Sequence, residues 1–344
     1  MFFKLKYSII EFMNNKTLSA LGEFGLIDFI KKHNTKPSKI HNVCLDIGDD
    51  CFVYHAGKNT KYVVTADILI ENVHFNKTWS TPEHIGQKAI EVNVSDIASM
   101  GSAKPLYAFI SLGINKNVSQ SFVKRLFGSI KKTCDKYGIH ISGGDTVGAK
   151  DITVSVTLIG ITCGKIIPRT GAKSGDLIFV SGTFGDGGAG LEILKKQSKN
   201  KKKLNFFEKE LIKKHLLPQA RLNSANSMSK KIRITSMTDS SDGLFKSIEL
   251  LTQDKGAVIN VNDIPLSENL ISYCKKNYKK LYNLALFAGE EFELVFTVDK
   301  KDGEKAAKLF PEIKCIGYIT DDKKTKYFEK GKIKDIKYDG YKHF

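Results

Sequence analysis

Two patterns of apolar and polar positions alternate along the first half of the chain. Asn42–Ile47, Tyr62–Ala66, Leu106–Ile114 and Ile152–Gly160 are short runs rich in Val, Ile and Leu, which predict buried strands. In the last run Ile152, Val154, Val156 and Leu158 share one face and Thr and Ser share the other, the period of a strand buried on one side. Glu83–Met100 instead carries its apolar residues at helical spacing. Ser80 or Thr81 is placed to cap that helix, with Pro82 where a first turn tolerates proline. Val118–Tyr137 predicts a second helix, stopped at Gly138. A break falls near Cys163–Pro168. Beyond it come a strand at Asp176–Ser181, a glycine cluster with a helix, and further strands and helices. The expectation is an α+β (mixed α/β) chain of two domains, residues 18–163 and 164–344.

Carboxylates interrupt these patterns at particular places. Asp49 and Asp50 follow the first strand, Asp67 ends the run Val63–Ala66, and Asp145 follows Gly143-Gly144. Asp239 follows Ile232–Met237, and Asp242 comes three residues later. Strand ends are rigid supports facing a crevice, a usual place for chemistry in sheets flanked by helices. Asp96 sits inside the apolar stripe Ile85, Ala89, Val92, Met100 of the predicted helix. A buried, unpartnered carboxylate costs several kcal/mol, so it needs donors or a cation. Each Asp also has a plain reading, as a turn residue, a helix cap or the partner of a lysine. One shared cause covers all of them: if they converge, they repel, and a hard divalent cation with oxygen ligands relieves that.

Composition narrows the class. The chain has 344 residues, 41% hydrophobic and 26% charged, enough for globular cores. Lys and Arg number 54 against 37 acids, a net charge of +17. That balance fits nucleic acid, acidic membranes or phosphorylated small molecules, but the lysines are scattered and not focused on one segment, which favours no dedicated nucleic-acid partner. Lys195–Lys203 is a lysine run that reads as a solvated loop between helices. No apolar run approaches the ~18 residues of a membrane helix, and Met1–Met13 lacks the cleavage site of a signal peptide. Met13 is an alternative initiator. The six cysteines form no Cys-x-x-Cys pair, which points to reduced thiols and a cytoplasmic home.

Phosphate motifs are sparse. Gly185-Asp186-Gly187-Gly188-Ala189-Gly190 fits a dinucleotide fingerprint, but the lysine run and a charged, helix-like segment occupy the ground where its acidic partner belongs. A tight strand–helix turn is the better reading. There is no Walker A sequence, so any ATP use needs another architecture.

The ordered blocks Gly22-Glu23-Phe24, Gly48-Asp49-Asp50, Thr65-Ala66-Asp67 with Glu71–Phe75, Asn93–Gly101, Gly143–Thr146, Arg169–Ala172, Asp239–Leu244 and Gly289–Leu294 resemble those of the thiamine-monophosphate kinase family, in the aminoimidazole-ribonucleotide-synthetase-like ATP-binding superfamily. The resemblance runs from about residue 21 to the C-terminus. It implies an N-terminal domain whose sheet pairs across a homodimer and a C-terminal α/β domain with a mixed sheet. It also implies the reaction ATP + thiamine monophosphate → ADP + thiamine diphosphate, the last step of thiamine diphosphate synthesis, with several Mg²⁺ ions. Carried over by position, Asp50, Asp67, Asp96, Asp145, Asp239 and Asp242 correspond to metal ligands, with minor contributions from Thr65 and the Ala66 carbonyl. Gly144, Asp145, Arg169, Ser241 and Phe127 correspond to ATP contacts, Asp145 and Arg169 being the catalytic pair. His74, Glu290 and Tyr341 correspond to thiamine-phosphate contacts. Asp49 is expected to be a structural neighbour. Ala66, Ser240, Ala288 and Glu291-Phe292 depart from the family pattern.

These assignments imply direct in-line transfer between two anions. The acceptor phosphate is already ionised near neutral pH (second pKa ~6), so no general base is required. Another ATP-dependent synthetase of the same superfamily is the alternative; a nucleic-acid-binding protein explained by charge alone is a second. The expected partners are the two substrates and a second copy of the chain, with no nucleic acid and no membrane.

Overall fold

The computed structural model describes residues 18–33, 42–57, 59–275, 278–329 and 331–336. The alternative start at Met13 lies outside them. The chain divides into two compact units, residues 1–41 with 341–344, and residues 42–340. In the first unit the described element is α1 (Leu18–His33), interrupted by non-helical backbone at Gly22.

The second unit holds two sheets. The first comprises β1 (Val43–Leu45), β2 (Phe52–His55), β3 (Lys61–Ile70), β4 (Lys104–Ile114), β5 (His140–Gly148) and β6 (Thr153–Thr162), in the order β1-β2-β3-β6-β4-β5. Neighbours are antiparallel except β4 and β5, which run parallel. Helices α2 (Pro82–Ser99) and α3 (Gln120–Tyr137) belong to this half. Thr81 caps α2: its hydroxyl accepts from His84 N, and the His84 ring accepts from Thr81 N in return. The predicted inner face of β6 is realised, with Ile152, Val154, Val156 and Leu158 at most 1% exposed.

The second sheet comprises β7 (Leu177–Val180), β8 (Ile234–Asp239), β9 (Gly256–Asn260), β10 (Leu294–Val298), β11 (Lys314–Thr320), β12 (Lys326–Glu329) and β13 (Lys332–Asp335). Their order is β13-β12-β9-β11-β7-β10-β8, and only β12 and β9 pair in parallel. Around it lie α4 (Asp186–Lys199), α5 (Phe206–Leu216), α6 (Leu222–Lys231), α7 (Leu244–Thr252), α8 (Glu268–Cys274), α9 (Tyr278–Phe287) and α10 (Gly303–Leu309). The chain is thus an α+β fold of two domains. Helix α2 touches β3 and β6 of the first sheet and β8 and α6 of the second half. One apolar core therefore runs from Val63 and Leu158 through Ile97 and Met100 to Phe179, Met237 and Phe296. A polar residue on α2 can face both halves at once.

Two strands run longer than their apolar patterns predict. Asp67 does not end a strand; β3 continues to Ile70, paired with β6 from Lys61↔Thr162 to Ile70↔Thr153. Asp145 likewise lies inside β5, paired with Ser111 of β4. The partner strand supplies ladder hydrogen bonds whatever the side chain, so a carboxylate does not stop pairing.

Candidate active site and metal centre

Strand register decides which carboxylates can meet. On β3, Asp67 is opposite Val156, and Thr65 is opposite Leu158. Val156 and Leu158 are on the buried face of the sheet, so Thr65 and Asp67 point the same way, toward α2. Ala66 alternates to the other face and is exposed. On α2, Asp96 accepts a hydrogen bond from Thr65 Oγ1. Asp239 ends β8 and is 3% exposed; its Oδ2 accepts from Ser95 Oγ of α2 at 2.6 Å. Asp50, in the loop before β2, has a side chain only 1% exposed, paired with the Arg169 guanidinium.

Asp50, Asp96 and Asp239 each place a carboxylate oxygen within 4.8 Å of the others. Three elements distant in sequence thus deliver negative charge to one point. Burial pushes the Asp239 carboxyl up to about 8, with Asp50 adding to the effect. Asp96 is also raised, by burial and then by Asp67. Burial raises Asp67 to about 6 against a hydrogen bond with Asp96, and the charges of Asp50 and Asp242 add to the rise. Asp50 Oδ2 is buried and has no hydrogen-bond partner. An all-oxygen donor set with an orphaned carboxylate oxygen fits a hard divalent cation, which would return Asp96 and Asp239 to their ionised state.

Arg169 and Thr238 bind one edge of the cluster. Thr238 Oγ1 lies 3.1 Å from Asp50 Oδ1 and accepts from Arg169 Nε at 3.2 Å. Asp49 accepts from Arg169 N at 3.0 Å and from Asp50 N at 2.9 Å, so it orders the loop. Asp242 does not cap α7: the N-cap is Gly243, with no side-chain hydrogen bond, and the charge of Asp242 is felt at Asp67.

Other expected contacts lie elsewhere. Asp145 is exposed on β5, outside the group of three, with its Oδ1 accepting from Thr146 N. Its register partner Ser111 is opposite Ser155, so Asp145 shares the outward face of the sheet with Tyr107 and Phe109. Gly144 has φ 149°, and a Cβ there would lie 1.7 Å from Ile110 O. No other residue fits that backbone approach. Phe127 is 44% exposed on α3. Tyr341 lies outside the described residues.

His74 and Glu290 do come together. His74 follows β3, its Nδ1 accepting from Ile70 N at 3.1 Å. Glu290 has φ 66° and donates its N–H to Ser241 O at 2.6 Å, which ties its loop to the one carrying Asp239 and Asp242. Lys88 of α2 pairs with Glu290 Oε1 at 2.5 Å, and His215 Nδ1 of α5 lies 3.3 Å from Oε2. Neither was singled out from the sequence, nor were Ser95 and Thr238. For Lys88 a signal existed: it falls three residues after Ile85 and four before Val92, inside the same apolar stripe that marked Asp96. The glycine cluster is a strand–helix turn. Gly185 has φ 93°, and Glu291 Oε1 accepts from Gly185 N and Gly187 N at 2.8 and 3.0 Å. The chain's own carboxylate thus occupies the anion position at the start of α4.

Residues 48–162 match the AIR synthase related protein, N-terminal domain, and residues 173–330 match the corresponding C-terminal domain. A thiamine-monophosphate kinase from Aquifex aeolicus is 38% identical over 330 residues, covering 95% of this chain and 99% of the relative. One from Bacillus subtilis is 32% identical, covering 94% and 100%. A solved structure described as AaThiL complexed with AMPPCP and TMP superposes with a TM-score of 0.84 at 36% identity, covering 96% of this chain and all of that one. With its two sheets, its carboxylate cluster and these full-length likenesses, the chain belongs to the thiamine-monophosphate kinases of the AIR synthase related family.

Proposed function

We propose that this chain transfers the γ-phosphoryl group of ATP to thiamine monophosphate, giving ADP and thiamine diphosphate, with Mg²⁺ held by Asp50, Asp96 and Asp239. The observation that carries this reading is the meeting of those three carboxylates, one of which, Asp50, also has a buried oxygen without a hydrogen-bond partner. Asp67, Asp242 and Asp145 are the further candidates for metal oxygens, with Thr65 and the Ala66 carbonyl as minor ones. When bound, the cation neutralises the repulsion between the two phosphorylated partners.

The chain's own residues do the rest. Arg169 presents a guanidinium beside Asp50, where it stabilises charge on the transferring phosphates. The backbone at Gly144, with Ser241 and Phe127, receives ATP. His74 and Glu290 receive the acceptor. Because the Glu290 N–H bonds Ser241 O, the acceptor loop and the loop bearing Asp239 are held in fixed relation. No side chain is asked to remove a proton, since the acceptor phosphate enters ionised. In this reading residues 18–163 form the nucleotide and metal domain and residues 164–344 the second domain.

The outward face of the first sheet exposes Ile68, Tyr107 and Phe109. That supports a homodimer through this face. Phe109→Asp is expected to shift the species seen in light scattering from dimer to monomer; an unchanged mass rejects the interface. Among the described residues no helix is long and apolar enough to cross a membrane, and all six cysteines are free, which supports a cytoplasmic enzyme.

The direct test is phosphorus NMR of the full chain with ATP, Mg²⁺ and thiamine monophosphate. Diphosphate and ADP resonances are expected to grow together. ATP consumption without that diphosphate, but with product from another acceptor, transfers the assignment to a sister synthetase.

A further inference from the structure

Lys88 and His215 are two buried basic side chains that the phosphoryl-transfer reading leaves without a task. Both side chains are at most 5% exposed. They arrive from different helices, α2 and α5, and hold different oxygens of the same carboxylate, Glu290. The Lys88 ammonium also donates to His74 O at 3.0 Å, so one cation ties together the two residues matched to acceptor contacts. The Glu290 side chain keeps a quarter of its surface open. His74, Lys88 and His215, with Phe75, Ser80, His84, Ile85 and Leu216, line a small cavity beside it.

We propose that Lys88 and His215 are positioning residues for the acceptor, clamping the Glu290 carboxylate ionised and in one orientation toward a cationic ligand. The inference rests on the kinase reading above, in which Glu290 meets thiamine monophosphate, whose thiazolium ring carries a fixed positive charge. Burial on its own drives the Glu290 carboxyl up; the charge of Lys88, the largest opposing cause, and its hydrogen bond hold the group below its ordinary value. Burial lowers His215 to about 4, so its imidazole is neutral at pH 7, with Nδ1 3.3 Å from Glu290 Oε2. Two holders on two oxygens remove the rotation that one would leave, which is what a short-lived ion pair with a diffusing ligand requires.

The test uses the full chain and steady-state rates with each substrate varied in turn. Lys88→Met is expected to raise KM for thiamine monophosphate about tenfold, with KM for ATP changed by less than about twofold. Lys88→Arg, which keeps the cation, restores most of the loss. His215→Leu is expected to raise the acceptor KM about threefold, and His215→Asn, which places an N–H near the Nδ1 position, to recover it. Equal rises in both KM values, or a lowered melting temperature with neither KM changed, overturn the proposal in favour of a structural role. Calorimetric binding of thiamine monophosphate separates the two levels of inference. A wild-type chain that turns over while Lys88→Met binds the acceptor as tightly as wild type rejects the positioning role alone. A wild-type chain that neither turns over nor binds rejects the kinase reading and this inference with it.

Discussion

Asp239 carries two opposed demands on one carboxylate. It is 3% exposed, faces Asp50 and Asp96, and burial drives its carboxyl up to about 8. Without a cation the charge is unwelcome; with one it is a ligand. Asp239→Asn is therefore expected to cut turnover by about a hundredfold or more, while raising the melting temperature in EDTA at pH 8, because a neutral amide replaces a disfavoured charge. A variant that loses both activity and stability in EDTA removes the argument that this side chain is spent on metal. The acid is visible in the sequence as a polar residue at the end of an apolar run. Its partner Ser95 is not, because serine is unremarkable on a helix until the facing element is known. Lys88 is readable by the same stripe that exposes Asp96, yet nothing along the chain says that its counter-charge lies some two hundred residues away, at Glu290.

Helix α2 is the element on which both the metal cluster and the acceptor residues depend, since it carries Lys88, Ser95 and Asp96 between the two sheets. Its N-terminus is held by the reciprocal Thr81–His84 cap. Thr81→Ala is expected to lower unfolding free energy by about 1 kcal/mol, read as a shifted urea midpoint with unchanged slope, and to leave the acceptor KM unchanged. A larger effect on KM than on stability shows that the cap sets the position of Lys88. Proline, capping residues and helical spacing make α2 legible from the residue pattern alone. The strands are legible in position but not in extent. Asp67 and Asp145 read as strand ends, because carboxylates and paired glycines are poor strand formers; pairing with β6 and β4 carries the strands past them. Whether Asp67 faces α2 and Ala66 faces away is then a matter of register with β6, a choice that the neighbouring strand makes.

Across the whole molecule, the raised carboxyls make stability depend on pH and on cation together. Groups whose folded pKa lies above the ordinary carboxylate range contribute stability that is complete at low pH and lost as pH rises through the folded pKa. That loss begins above the ordinary value of 3.8 and is complete by about 6 for Asp67 and by about 8 for Asp239. In EDTA the melting temperature is expected to fall from pH 5.5 to pH 8.5. With saturating Mg²⁺ the fall should flatten or reverse, since a ligand bound by the folded state alone stabilises it by mass action. Parallel curves with and without Mg²⁺ across that range would show that the cluster binds none.

The sequence alone determined the α+β class, the identity of the acids that break apolar patterns, and the family through ordered blocks of motif, because propensity, periodicity and local chemistry are written along the chain. Packing and register settled that Asp50, Asp96 and Asp239 meet while Asp145 stands on the opposite face of its sheet. They alone joined Lys88 and His215 to Glu290. Contacts between residues far apart in the chain depend on strand register and helix packing, and those are settled by burying the shared core of both sheets, to which these polar side chains contribute almost nothing.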